Sequence, residues 1–238
     1  MNEKINHCLA TNGFQQFTPK AVLFDMDGIL VDSMHRHARC WKEAMQRFGL
    51  SISEQEVFER EGMRGVEIIQ DLTRQQLGHA VGEQEAQSMY DEKTKLFLAE
   101  GKVPTMTGAS SVLQAAKACG MKIVVVTGSG QRTLLADLQH RFPGLIDPGL
   151  IVSSFDVSRG KPHPEPYLKG LQKAGVEPFE AIVVENAPLG VRAAVAAKIM
   201  TVGVNTGPLP RQMLIDEGAT FVFDTMDELA DHGLLWNR

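Results

Sequence analysis

Two carboxylates, Asp25 and Asp27, stand two residues apart in Phe24-Asp25-Met26-Asp27-Gly28, directly after the apolar run Ala21–Phe24. If a strand ends at the first of them, both face one crevice. One can then attack as a nucleophile while the other moves protons. Gly28 allows a tight turn behind them. A second stretch, Val126-Thr127-Gly128-Ser129-Gly130, offers a hydroxyl and successive backbone N–H groups at a helix start, an arrangement suited to phosphate. A third, Gly160-Lys161-Pro162-His163-Pro164-Glu165-Pro166, fixes a lysine among prolines, where its ammonium can neutralise a carboxylate and a transferring phosphate. A fourth, Val184-Glu185-Asn186-Ala187-Pro188, supplies the oxygen ligands that Mg²⁺ prefers. Each has a plainer reading: a surface turn, a strand-to-helix turn, a rigid loop, and a helix cap at Asn186. Together they make a complete set for phosphoryl transfer: nucleophile, acid/base, hydroxyl, cation and metal ligand.

The elements that must hold these residues follow from the apolar pattern. Ala21–Phe24, Ile123–Val126, Leu150–Val152, Ala181–Val184, Met200–Val204 and Phe221–Phe223 are short runs without polar alternation, as expected for strands buried on both faces. Helical patterns at Ser110–Cys119, Gln131–Gln139, Pro166–Ala174 and Gly190–Lys198 separate them, with Gly120 and Gly175 as stops. Strand alternating with helix predicts an α/β fold with a doubly wound parallel sheet. In such a sheet ligands bind beyond the C-terminal strand ends, where all four stretches fall.

Residues 35–100 break the alternation. They read as four helices, at 35–48, 54–60, 65–77 and 83–99, the second opened by a capping box from Ser53 to Glu56. The expected organisation is an α/β core of residues 1–33 and 104–238, with 34–103 inserted as a helical cap over the site. The first 16 residues are polar and mixed, and are expected to be a loose leader. Trp41, Met45 and Phe48 recur at helical spacing and are expected in the core of the insertion, while His35 and His37 read as polar residues at a helix start.

The bulk composition excludes several classes. A net charge of −5 gives no reason to expect nucleic acid or an anionic membrane as partner, and no apolar run reaches membrane-spanning length. The three cysteines, Cys8, Cys40 and Cys119, are widely spaced and odd in number, which favours reduced thiols and a cytoplasmic setting. A monomer acting on a small phosphorylated substrate is the simplest expectation.

In these four stretches the sequence resembles the haloacid dehalogenase superfamily of phosphotransferases, in motif order, from Lys20 onward. The helical insertion resembles the cap of the β-phosphoglucomutase-like subgroup. The resemblance implies an aspartyl-phosphate intermediate and Mg²⁺. Asp25 would be nucleophile and metal ligand. Asp27 would be acid/base and give its backbone carbonyl to the metal. Thr127 and Lys161 would hold the phosphoryl group beside Gly128 and Ser129, and Glu185 and Asn186 would lie on the metal side. An acid at Asp27 speaks against carbon–halogen cleavage, which needs none there.

Two departures stand out. The metal loop is Glu185-Asn186, where a second carboxylate is usual. In Arg60-Glu61-Gly62-Met63-Arg64-Gly65 the mutases carry a basic residue near Glu61 and an arginine where Gly65 stands. Glu61 is expected to swing over the site and supply the charge that Asn186 lacks. With Arg64 it would then define a small, highly charged substrate, as in pyrophosphatases that the pattern resembles. A β-phosphoglucomutase-like isomerase is the alternative. A phospho-aspartate signalling module is a third reading, but such modules are about half this length and lack the insertion.

Overall fold

Each predicted apolar run forms a strand in the computed structural model, which describes residues 2–130 and 132–233. The six strands are β1 (Ala21–Phe24), β2 (Lys122–Val126), β3 (Ile151–Val152), β4 (Ala181–Glu185), β5 (Met200–Val204) and β6 (Phe221–Phe223). They form one parallel sheet in the order β3-β2-β1-β4-β5-β6. The order reverses direction at β1, the topological switch point where such sheets bind ligands. Phe24 is level with Val125 on one side and Val184 on the other, so Asp25 emerges between the ends of β2 and β4. Leu150, expected in a strand, closes a short 3₁₀ turn before β3 instead.

The helices, in chain order, are α1 (Asn2–Asn12), α2 (Met34–Arg47), α3 (Glu54–Glu59), α4 (Gly65–Leu77), α5 (Glu83–Ala99), α6 (Ala109–Ala118), α7 (Arg132–Arg141), α8 (Glu165–Ala174), α9 (Pro188–Ala196), α10 (Arg211–Asp216) and α11 (Met226–Asp231). The expected helix start at Gln131 lies outside the described residues. α9 begins two residues earlier than its pattern suggested, because Pro188 fits the first turn, where no N–H is needed.

Both faces of the sheet are covered. Val22 and Phe24 point to a layer containing Val112 and Leu113 of α6 and Leu229 of α11. Ala21 and Leu23 point the other way, to Tyr167 and Leu171 of α8 and Ala193 of α9. This two-sided burial explains the absence of polar alternation.

The expected loose leader is corrected over Asn2–Asn12, which form the regular helix α1. Ile5 and Cys8 lie on one face of it and pack against the core, and Lys4 Nζ sits 5.4 Å from the Phe221 ring. The apolar residues are few but correctly spaced to lie on one face against the core.

The helices α2–α5 lie between β1 and α6 and enclose their own apolar cluster, with Trp41, Met45, Phe58, Ile69 and Met89. Phe48, expected in that cluster, is 41% exposed at the C-cap of α2. The Ser53–Glu56 capping box is present, with Ser53 N donating to Glu56 at 2.8 Å and Glu56 N to Ser53 Oγ at 3.2 Å. The two segments crossing to the core are tied together. Arg36 donates to the carbonyls of Gly101 and Lys102 at 2.6 and 2.9 Å. No helix among the described residues is long and apolar enough to cross a membrane.

Candidate active site

At the end of β1, Asp25 is held by a backbone bond to Val184 (3.0 Å), and its carboxylate accepts from Lys161 Nζ. Lys161 is 1% exposed; its ammonium also donates to Glu185 Oε1 at 2.6 Å and to the Val126 carbonyl at 3.2 Å. The Lys161–Pro162 peptide bond is cis. Glu185 Oε1 also accepts from Tyr167 Oη at 2.7 Å, and Oε2 accepts from the backbone of Asn186 and Ala187 at 2.9 and 3.0 Å. Both oxygens of Glu185 are therefore committed, and the residue sits against Lys161 rather than beside the Asn186 side chain. A Cβ at Gly190 would lie 1.8 Å from Glu185 Oε1, so the start of α9 must be glycine for the carboxylate to fit.

Asp27 lies on the other wall. Its Oδ1 accepts from Ser33 Oγ at 2.5 Å and meets His37 Nε2 at 3.2 Å, while Oδ2 is 3.5 Å from Thr127 Oγ1. Lys93 Nζ bonds His37 Nδ1, which makes Nε2 the protonated nitrogen and the donor to Asp27. Lys93 is 1% exposed, with Nζ 5.0, 5.4 and 5.7 Å from the rings of Phe97, Trp41 and Tyr90. His37 is stacked on Phe97. Thr127 Oγ1 accepts from Ser129 N at 3.0 Å, which sets the turn after β2.

The insertion closes this crevice. Glu61 is buried, and Asn186 Nδ2 donates to its two oxygens at 2.9 and 3.0 Å. Gly28 has φ of +80°, and a Cβ there would lie 2.2 Å from Asn186 Nδ2, so the turn after Asp27 needs glycine on both counts. A Cβ at Gly128 would lie 2.6 Å from the Gly62 carbonyl, which shows how tightly the insertion rests on the β2 turn. What remains between them is a cavity of about 60 Å³ for water centres, lined by Asp25, Asp27, Glu61, Tyr90, Thr127 and Ser129 among others. A buried water needs roughly 10–15 Å³ by that measure, so the space suits a few waters or a small anion.

The titratable groups share one cause. Burial pushes the Asp25 carboxyl well above the usual range; Lys161 pulls it down, and Glu185 and Asp27 push it up again. Burial raises Glu61 likewise, Asp25 adds to that, and Asn186 opposes. Burial also raises Asp27, but His37 and Ser33 outweigh it and leave it below the ordinary value. Burial, helped by Lys93, lowers His37. Burial drops Lys93 to about 8.

The residues of this wall suit a divalent cation. Asp25 and Glu185 share the Lys161 ammonium, Glu61 meets the Asn186 amide, and the buried Asn186 Oδ1 has no hydrogen-bond partner. Among the described residues no three His, Cys, Asp or Glu side chains form a ready-made metal cluster.

Asp25, Asp27, Thr127, Gly128, Ser129, Lys161, Asn186 and Glu61 are thus brought together. The Arg64 guanidinium is not: it donates to the Ser158 carbonyl at 2.8 Å, outside the cavity. Ser33, Tyr90 and Lys93 were missed. Lys93 lies 56 positions from the histidine that it bonds, on a different helix, so no local spacing links the two. His35, by contrast, is an exposed partner of Glu54 at 2.9 Å.

A doubly wound sheet with acidic, hydroxyl and basic side chains at its switch point defines an α/β enzyme of phosphate chemistry. The chain belongs to the haloacid dehalogenase-like hydrolases, whose family model matches residues 22–204. Hexitol phosphatase A of Escherichia coli is 33% identical, over 78% of this chain and 83% of its own length. Validoxylamine A 7'-phosphate phosphatase of Streptomyces hygroscopicus is 32% identical, over 79% and 86%. The structure of a Bacteroides vulgatus protein, provisionally assigned as a β-phosphoglucomutase, superposes with a TM-score of 0.94 at 45% identity, covering 98% of this chain and 95% of its own. Phosphatase or phosphomutase activity follows from this kinship.

Proposed function

We propose that the chain is a Mg²⁺-dependent phosphohydrolase that works through an aspartyl-phosphate on Asp25, with inorganic pyrophosphate as favoured substrate. The observation that carries this reading is the Glu61–Asn186 pair: a carboxylate from the insertion enters the site where a mutase would need positive charge for a distal phosphate. Tyr90 supports it from a second direction, since its ring stands where a side chain at position 65 would have to go. The insertion, residues 34–103, acts as the cap.

In this mechanism the Asp25 carboxylate attacks phosphorus and the bond to the leaving oxygen breaks. Asp27 gives that oxygen a proton, and phosphate departs. Asp27 then takes a proton from water as it attacks the aspartyl-phosphate, releasing the second phosphate and restoring Asp25. Lys161 and Thr127, with the N–H groups near Gly128 and Ser129, hold the transferring oxygens. Asp25, Asn186, the Asp27 carbonyl and Glu61 would hold Mg²⁺, which supplies charge neutralisation of the phosphate oxygens. Glu185 anchors Lys161.

A sugar-phosphate phosphatase is the second reading, favoured by the hexitol phosphatase relative. Phosphate release with Mg²⁺ from pyrophosphate, hexose phosphates, nucleotides, and β-glucose 1-phosphate with a bisphosphate primer separates the readings. Asp25→Asn serves as the control. Release from pyrophosphate above all others is expected. Isomerisation of the sugar phosphate without net release would make the chain a mutase instead.

A further inference from the structure

The insertion meets the core at a second place, outside the cavity. The loop carrying Lys161 belongs to neither helix nor strand, so its backbone groups need other partners. From the core, Glu165 accepts from Ser158 N at 2.9 Å and Arg159 N at 3.1 Å. The next N–H, that of Gly160, goes to the insertion: Glu67 Oε1 accepts it at 3.3 Å. The Ser158 carbonyl likewise accepts from Arg64 of the insertion at 2.8 Å. Glu67 has a second task, since its Oε2 accepts from Arg64 N at 3.2 Å and caps the start of α4. The fit is close. A Cβ at Gly160 would lie 2.7 Å from Glu67 Oε2, and one at Gly62 would lie 2.5 Å from Lys161 Cδ.

We infer that Arg64 and Glu67 form a latch between the insertion and the 158–160 backbone, and act as positioning residues for Lys161. This rests on the phosphohydrolase reading and deepens it by naming what couples seating of the cap to the catalytic lysine. The residue that follows the latched N–H is Lys161 itself, whose ammonium must reach both Asp25 and Glu185 from a loop. With the cap lifted, Gly160 N–H and the Ser158 carbonyl pass to water, and one side of that loop is no longer pinned. With the cap seated, they are bound and the Lys161 stem is clamped by Gly62. The Arg64–Ser158 bond is exposed and the Glu67–Gly160 bond is part-buried and long at 3.3 Å, each a modest net contribution, so the latch opens readily.

The test uses Arg64→Ala, Glu67→Ala and Glu67→Gln in the full chain. Small-angle scattering with Mg²⁺ and orthophosphate reads cap position, melting reads stability, and kcat and KM on pyrophosphate are taken separately. Arg64→Ala leaves the capping bond of α4 in place, so it carries the test if Glu67→Ala does not fold. The expected result is a larger radius of gyration and a kcat lowered about tenfold, the worth of one such contact in the transition state. Melting of Arg64→Ala should be unchanged, and Glu67→Gln, which keeps one acceptor oxygen for two N–H donors, should fall between Glu67→Ala and the parent in kcat. Variants as compact as the parent with unchanged kcat would overturn the latch. If the parent itself does not cleave pyrophosphate, the substrate assignment fails, and the scattering of the variants still decides the latch on its own.

Discussion

The ring of Tyr90 lies so close to Gly65 that a Cβ at position 65 would stand 2.2 Å from it. The glycine at the start of α4 is therefore what allows an aromatic wall in the cavity, and under the proposed function that wall limits substrate size. Tyr90→Ala should enlarge the cavity and raise kcat/KM for a hexose phosphate relative to pyrophosphate by about tenfold. Gly65→Ala should overpack the site and destabilise the fold by about 1–3 kcal/mol. Melting curves and paired kinetics check both, and an unchanged substrate ratio in Tyr90→Ala would remove the ring from any role in selection.

Glu61 and Asn186 together offer a single carboxylate where the proposed Mg²⁺ would be held. Glu61→Gln should raise the Mg²⁺ concentration for half-maximal activity by about tenfold, the effect of losing roughly 1.4 kcal/mol of charge interaction. Adding Asn186→Asp to that variant should recover much of the loss. A Mg²⁺ titration of the three variants and the parent reads this directly; identical curves would mean that Glu61 stands away from the metal.

Glu185 receives four donors while making room for none at Gly190. Tyr167→Phe removes one donor from it and should cost about 1 kcal/mol, seen in denaturant unfolding. Glu185→Gln breaks a buried ion pair and should cost about 3–5 kcal/mol, with most activity lost as Lys161 loses its anchor. Equal stability of the two variants would contradict this order.

Lys93 titrates at about 8 when folded and near 10.5 when unfolded. The unfolded chain then binds more protons between those values, so stability rises with pH across that window. Below about pH 8 both states are charged and the full penalty of burying the ammonium, about 3 kcal/mol, is present. It is relieved as pH climbs through 8 toward 10.5. Lys93→Met should abolish that rise and be more stable than the parent at pH 7, at the expense of the bond to His37. Thermal melts from pH 7 to pH 10 would show whether the slope disappears.

The strands, the break in alternation and the four chemistry-bearing stretches were legible in the residues themselves. Short apolar runs have one stable use, in a sheet covered on both sides, and Asp25, Thr127, Lys161 and Asn186 each follow such a run or a stop signal. The same local logic read α1 as a tail, since its few apolar residues make sense only against the core they pack on. Partnerships across the chain were decided by tertiary structure. Whether Glu185 can join Asp25 at Lys161 depends on the space left at Gly190, and whether Glu61 reaches Asn186 depends on how α2–α5 seat on the core. The state of Asp27 depends on Lys93, far along the chain, being buried among three rings. Sequence spacing records what each segment can form alone; charge pairing and desolvation arise only when segments meet.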